Sequence, residues 1–228
     1  FHQTGFPGSQ DEDWRFTPLT AFHQAKFGVA PRSRVPSAAE VDRLQAGERH
    51  WHRLVFLNGR LEAGLSRVGR LAAGVRIGGL DRALKADGPM LDRQLAGVAG
   101  FQDHPFTALN TALFEDGACL HVPAGIEIDR PIELLFLADP GAHPPAIQPR
   151  NLILLGANAR ATIIETFRTL GDGPHFTNTV TEAVVGGGAH LTHGKLGLES
   201  ERAFHVGRTV VRTERDSQLT SFSVTMGG

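Results

Sequence analysis

The alternation of apolar and polar positions changes rhythm at Gly117. Ahead of it the pattern is mixed. Pro31 and Pro36 break the chain into connectors, and Ser37-Ala38-Ala39-Glu40 then sets a hydroxyl three residues ahead of a carboxylate, the spacing at which each caps the other's free backbone N–H. This predicts a short helix through Leu44. Leu54-Val55-Phe56-Leu57 and Arg60-Leu61-Glu62 flank Asn58-Gly59, a dipeptide that readily takes the positive φ angles of a type I′ turn, so a hairpin is expected there. Leu80 to Val98 reads as helix interrupted near Gly88-Pro89. Phe106 to Phe114 reads as a second helix, with Phe106, Leu109, Ala112 and Leu113 on one face. Ordinary core packing accounts for both patterns.

From Gly117 onward helical periods give way to short β-rich runs separated by Gly, Asn, Pro and Asp, and here the chain repeats. Leu155 to Thr162, Val185 to Thr192 and Thr213 to Thr220 each carry a turn of small or polar residues into a strand, and the Thr positions fall roughly 30 residues apart. Segments too short to bury a face alone must stack on their neighbours. A jelly roll or cupin also has many short strands, but sandwich loops vary in length, whereas this tight turn recurs at one place in each unit. The expected fold is mainly β, with a β-solenoid core over residues 117–228 and a small mixed α/β region with a hairpin over residues 1–116. Asn151 to Leu155 and Ala161 to Ile164 suit its buried strands.

Composition narrows the function classes. With 228 residues, 41% of them hydrophobic, the chain can bury the core of one elongated domain, with or without a small helical appendage. The 23 basic residues are scattered, as at Arg15, Arg43, Arg93, Arg150 and Arg208, and the formal net charge is −1. No stripe tracks a phosphate backbone, so no nucleic acid is expected as partner. No run approaches the ~18 apolar residues of a membrane span, and Phe1 to Trp14 has no apolar core, so neither export nor a membrane is expected. The single cysteine, Cys119, fits a reducing compartment, and the expectation is cytoplasmic. The strand pattern from Ser221 stops at Gly228 and no Met opens the chain. It therefore reads as a truncated solenoid, expected to be poorly stable or self-associating by itself.

Candidate chemistry is sparse. His190 and His193 have a metal-like spacing, yet residues three apart on a strand face opposite ways and cannot share an ion. An adjacent coil could still bring His193 near His205 or His175, although solvated or hydrogen-bonded histidines are the default. Gly186-Gly187-Gly188 is read as a turn, because Gly194-Lys195 is followed by Leu196 rather than the Ser or Thr of a phosphate loop. Cys119 is expected to be a buried thiol on a strand. Glu165 and Glu182 look isolated, and no carboxylate pair stands out. No residue is nominated as catalytic or as a metal ligand, and cofactor-binding residues are left unassigned. Two enzyme readings compete with a non-catalytic one. A carbohydrate-active β-helix enzyme would need acids along one groove. A cupin-like metal enzyme would use His190, His193, Glu199 and His205, which supply the residue types but not the alternation.

Several segments in order carry a resemblance. Asp11 to Leu19, Arg53 to Arg60, Phe106 to Ala112, Val122 to Gly125 with Arg130 to Leu134, Ala161 to Phe167, His175 to Asn178 and Ala189 to Leu196 are similar to successive parts of the SufB/SufD family of iron–sulfur cluster assembly scaffold proteins, closer to the SufD side. The resemblance implies a right-handed parallel β-helix in a non-enzymatic scaffold subunit of a SufBCD-type complex. It also implies a SufB-like subunit and a SufC-like ABC ATPase as partners, with a homodimer as the alternative pairing. Family chains are longer, with further coils and a C-terminal helical domain that hold the residues credited with cluster chemistry. This portion alone is expected to bind no cofactor. The iron–sulfur cluster, with a flavin as a further candidate, belongs to the assembled complex.

Overall fold

In the computed structural model, which describes residues 5–8, 10–91, 94–102, 104–141 and 143–227, local chemistry sets the first elements. After α1 (Thr20–Gln24) and β1 (Gly28–Val29), α2 (Ala38–Leu44) forms with its cap complete. Ser37 Oγ accepts from the Glu40 N–H at 3.3 Å while Glu40 accepts from the Ser37 N–H at 2.7 Å. The hairpin also forms, with β2 (His52–Leu57) and β3 (Arg60–Leu61) antiparallel across Asn58 at φ 47° and Gly59 at φ 82°. β4 (Arg76–Gly79) follows and leads directly into α3 (Leu80–Leu91), and α4 (Pro105–Leu113) comes next.

Two helical expectations are corrected. α3 runs through Gly88-Pro89 to Leu91, and residues 94–97 form turns instead of helix to Val98, with Asp92 and Arg93 outside the described residues. Ala96 takes φ 58°, and the N–H groups of Ala96, Val98 and Ala99 converge on the Glu182 carboxylate at 2.8, 3.0 and 2.8 Å. A continuing helix would turn those donors onto its own carbonyls. In α4 the buried residues are Phe106, Thr107, Ala108 and Asn110, while Leu113 is 54% exposed and Ala112 is exposed too. Asn110 rotates the helix this way: its buried amide donates to the carbonyls of Pro149 and Asn178 at 2.9 and 2.8 Å and so turns that face of the helix onto the strands.

The remaining strands are β5 (Ala118–Val122), β6 (Ile132–Ala138), β7 (Pro145–Ile147), β8 (Arg150–Leu155), β9 (Arg160–Thr169), β10 (His175–Val185), β11 (His190–Leu198), β12 (Ala203–Thr213) and β13 (Gln218–Thr225). They alternate between two sheets, one built on β5, β8, β10 and β12 and the other on β2, β6, β9, β11 and β13, with parallel pairing along each. The chain therefore winds as about four coils of a β-solenoid. The repeat legible in the sequence is the rung register, since Thr162, Thr192 and Thr220 pair in succession. The turns stack likewise. Asn158, Gly188 and Asp216 take φ 59°, 67° and 58°, and the Asn158 and Gly188 N–H groups donate to the next turn at Gly187 O and Arg215 O. Left-handed backbone at these positions explains why Gly, Asn and Asp recur there.

The N-terminal elements cover the outside of the early coils. Val41 of α2 packs on Val55, Leu57, Leu135 and Leu137, and α3 places Leu80 and Leu91 over Cys119 and Leu152 of the other sheet. Buried ion pairs fix these outer layers: Arg53 Nε meets Glu133 at 3.0 Å, and Arg150 Nη2 meets Glu182 at 2.6 Å.

Candidate functional site

The space enclosed by the two sheets changes character along the solenoid. One column of facing positions reads Leu54, Leu134, Glu165, Lys195, Ser223. Its neighbours read Phe56, Phe136, Phe167, Gly197, Thr225 and Ile132, Ile163, His193, Ser221. In the early coils these are core residues, and Phe56, Phe136 and Phe167 form a stack with centroids 4.9 and 5.0 Å apart. From β9 onward the same positions turn polar, which demands partners inside the lumen.

Two carboxylates organise that polar part. Glu165 is fully buried, and its Oε1 accepts from Thr181 Oγ1 at 2.6 Å and His193 Nε2 at 2.8 Å. Thr181 in turn accepts from Asn151 Nδ2 at 3.1 Å, and Asn151 Oδ1 accepts from the Ala118 N–H at 2.9 Å, so one chain of hydrogen bonds crosses the lumen and reaches the first coil. Burial by itself would raise the Glu165 carboxyl, but the charges of Lys195 and His193 and the bonds from His193 and Thr181 outweigh it and hold the group at about 2. Glu199 is the second centre. Its Oε1 accepts from His175 Nε2 and Thr177 Oγ1, each at 2.9 Å, and its Oε2 from His205 Nδ1 at 2.6 Å. Burial again works upward, and the two imidazoles overcome it, lowering Glu199 to about 2. Beside these groups a cavity of about 240 Å³ opens, with Lys195, His205, Ser223 and Thr225 in its walls.

The residues singled out in the sequence separate accordingly. His190 and His193 face apart, His190 outward at 3.0 Å from Arg160 and His193 inward on Glu165. His193 does not join His175 or His205. Those two share Glu199. Glu165 and Glu182, which look isolated along the chain, are partnered in space: Glu165 accepts from Thr181 and His193 in the lumen, and Glu182 accepts from Arg150 and from the N–H groups of Ala96, Val98 and Ala99 on the outer face. Among the described residues no cluster of His, Cys, Asp or Glu has metal-binding geometry. Cys119 lies on β5 beneath α3, and burial pushes its thiol up to about 11. Gly186 to Gly188 is a turn. No helix among the described residues is long and apolar enough to cross a membrane.

Comparison with known proteins covers nearly the whole chain. Residues 1–134 match the family profile for the SufBD protein N-terminal region, and residues 136–228 match that for the SUF system FeS cluster assembly SufBD core domain. The chain is 29% identical over 229 residues to the iron-sulfur cluster assembly SufBD family protein slr0076 of Synechocystis, covering 97% of this chain and 50% of that one. It is 27% identical over 233 residues to the iron-sulfur cluster assembly protein SufD of Escherichia coli, covering 99% and 50%. A third relative, SufD of Bacillus subtilis, is 26% identical over 119 residues, 51% of this chain and 27% of the relative. The chain thus spans about half the length of the first two of these relatives.

Proposed function

This chain belongs to the SufBD family of iron–sulfur cluster assembly proteins, and from that premise we propose that it serves as a non-catalytic scaffold segment, pairing with a SufB-like subunit and a SufC-like ATPase in the cytoplasm. The observation that carries this reading is the way its buried charges are used. Arg53 with Glu133, Arg150 with Glu182, His193 with Glu165 and both His175 and His205 with Glu199 hold side chains to one another across coils, which favours a stiff surface over a reactive group. The early coils are wrapped by the N-terminal elements, whose apolar side chains are used inside the fold. The cluster, and any flavin, belong to the assembled complex. Cys119, with its thiol pushed up to about 11 beneath α3, is a poor thiolate ligand for either iron or sulfur transfer.

The test is co-expression of the tagged chain with SufB-like and SufC-like partners. A stoichiometric complex surviving size-exclusion chromatography is expected, and recovery of the tagged chain free of both would remove the proposal.

A further inference from the structure

We propose that His52 is an acid-released latch: its neutral ring ties down residues 68–71 beside the first coil, and protonation frees them. His52 opens β2 in register with Ile132 and Ile163 and is only 3% exposed. Its Nδ1 accepts from the Gly69 N–H at 3.1 Å. A backbone N–H can only donate, so this bond needs a bare Nδ1 and puts the proton of the neutral ring on Nε2. Among the described residues it is the only hydrogen bond that residues 68–71 make with the rest of the protein. The chain on either side is held independently, since Arg53 and Arg67 exchange backbone bonds at 2.7 and 2.8 Å and β4 pairs with β5. Release is therefore local. Val68 and Leu71, with Val75 beyond them, line a cavity of about 770 Å³ together with Leu54 and Cys119, so freeing the segment opens that apolar space from one side.

The charges around the ring set the direction of the response. Arg130, in the turn before β6, has its Nη1 3.9 Å from where a Gly69 Cβ would lie, and Asp129 precedes it. The segment and its anchor contribute Arg70 and Arg67, while the Arg53 guanidinium on β2 is spent on Glu133 and Asp42. Toward the next coils the register continues in Ile132 and Ile163, which carry no charge. Burial and the Arg130 charge hold the imidazole below the usual histidine range, outweighing the pull of Asp129. The accepting form is thus the one present at neutral pH. As pH falls below the ordinary value of 6.5, the open segment gains over the closed one, because a freed ring takes up the proton that the enclosed ring refuses. Glu165 and Glu199, held at about 2, keep their charge through this range.

The test is NMR of the whole chain from pH 7.5 to pH 5, following the His52 ring nitrogens, the Gly69 amide and the backbone order of residues 68–71. Protonation of Nδ1 is expected to coincide with an upfield move of the Gly69 proton and about a tenfold loss of its exchange protection, corrected for intrinsic rates. Motion should rise in residues 68–71 while Arg53 and Arg67 stay ordered. His52→Asn sets a carbonyl oxygen near the place of Nδ1 without a titrating ring, and should keep the segment closed across the range. His52→Leu should leave it open at every pH. A ring that stays neutral down to pH 5, a Gly69 amide indifferent to its protonation, or the same transition in His52→Asn overturns the latch. Circular dichroism checks each variant, and should His52→Leu lose its β signal, the native chain and His52→Asn decide.

Discussion

At the scale of single residues, a carboxylate enclosed between two sheets persists only where donors replace its lost water. Glu165 has Thr181 and His193 as donors and Lys195 as a nearby charge. Glu165→Gln keeps the shape but strips the charge that holds His193 and Lys195, and it should cost about 3 kcal/mol, or roughly 10 °C in the thermal midpoint. An unchanged midpoint by circular dichroism would contradict this. The same groups set an acid limit. Glu165 and Glu199 sit at about 2 in the fold against an ordinary carboxyl value of 4.5, so their contribution is complete above 4.5. It drains away as pH falls from 4.5 toward 2, because the unfolded chain then binds protons that the fold refuses. Urea midpoints measured from pH 6 to pH 2.5 should decline most steeply below 4.5 in the native chain and less steeply in a Glu165→Gln, Glu199→Gln double variant. In the sequence His190 and His193 could be separated by strand alternation, but Glu165 could not be recognised as a centre, because its partners arrive from other coils. The signal was nonetheless present. Carrying the Thr162, Thr192, Thr220 register three residues forward aligns Glu165, Lys195 and Ser223.

Among the elements, the turns were legible and the helix ends were not, for a common reason. A left-handed residue restricts its own side chain, so Asn158, Gly188 and Asp216 advertise the turns locally. Gly188→Ala should cost about 1–2 kcal/mol through the φ requirement. It also puts a Cβ 2.4 Å from Asn158 Oδ1, so the Asn158 side-chain amide must move aside as well. Equal stability of this variant in urea would contradict the turn geometry. The end of α3 depends instead on Glu182, 84 residues beyond Val98, and nothing near Leu91 reports that distant carboxylate. Glu182→Ala should release the N–H groups of Ala96, Val98 and Ala99 and leave the buried Arg150 charge without its carboxylate, with only Asn110 and Thr111 as acceptors. Hydrogen exchange at residues 94–99 should then accelerate by about tenfold or more, with a loss of roughly 3–5 kcal/mol overall. Slow exchange retained there would show that the carboxylate does not hold this loop. The face of α4 was misjudged on similar grounds, since Asn110 is recruited by carbonyls on strands that follow it.

For the molecule as a whole, the stacked repeat made the solenoid readable, whereas the wrapping of its early coils by α2 and α3 depends on tertiary contacts that no local pattern encodes. The resulting body has an apolar lumen filled by side chains in the early coils and a hydrogen-bonded polar one in the later coils. Its outer face is covered at the start by α2 and α3. The proposed scaffold role requires a body that meets a partner without refolding. The most direct measurement is hydrogen exchange on the chain free and bound to a SufB-like subunit. Slow exchange is expected in β6, β8, β9 and β10 in both states, with any added protection on binding confined to residues outside those strands. Protection spread through the lumen strands, or exchange there fast enough to show that the coils are not formed in the free chain, would contradict it.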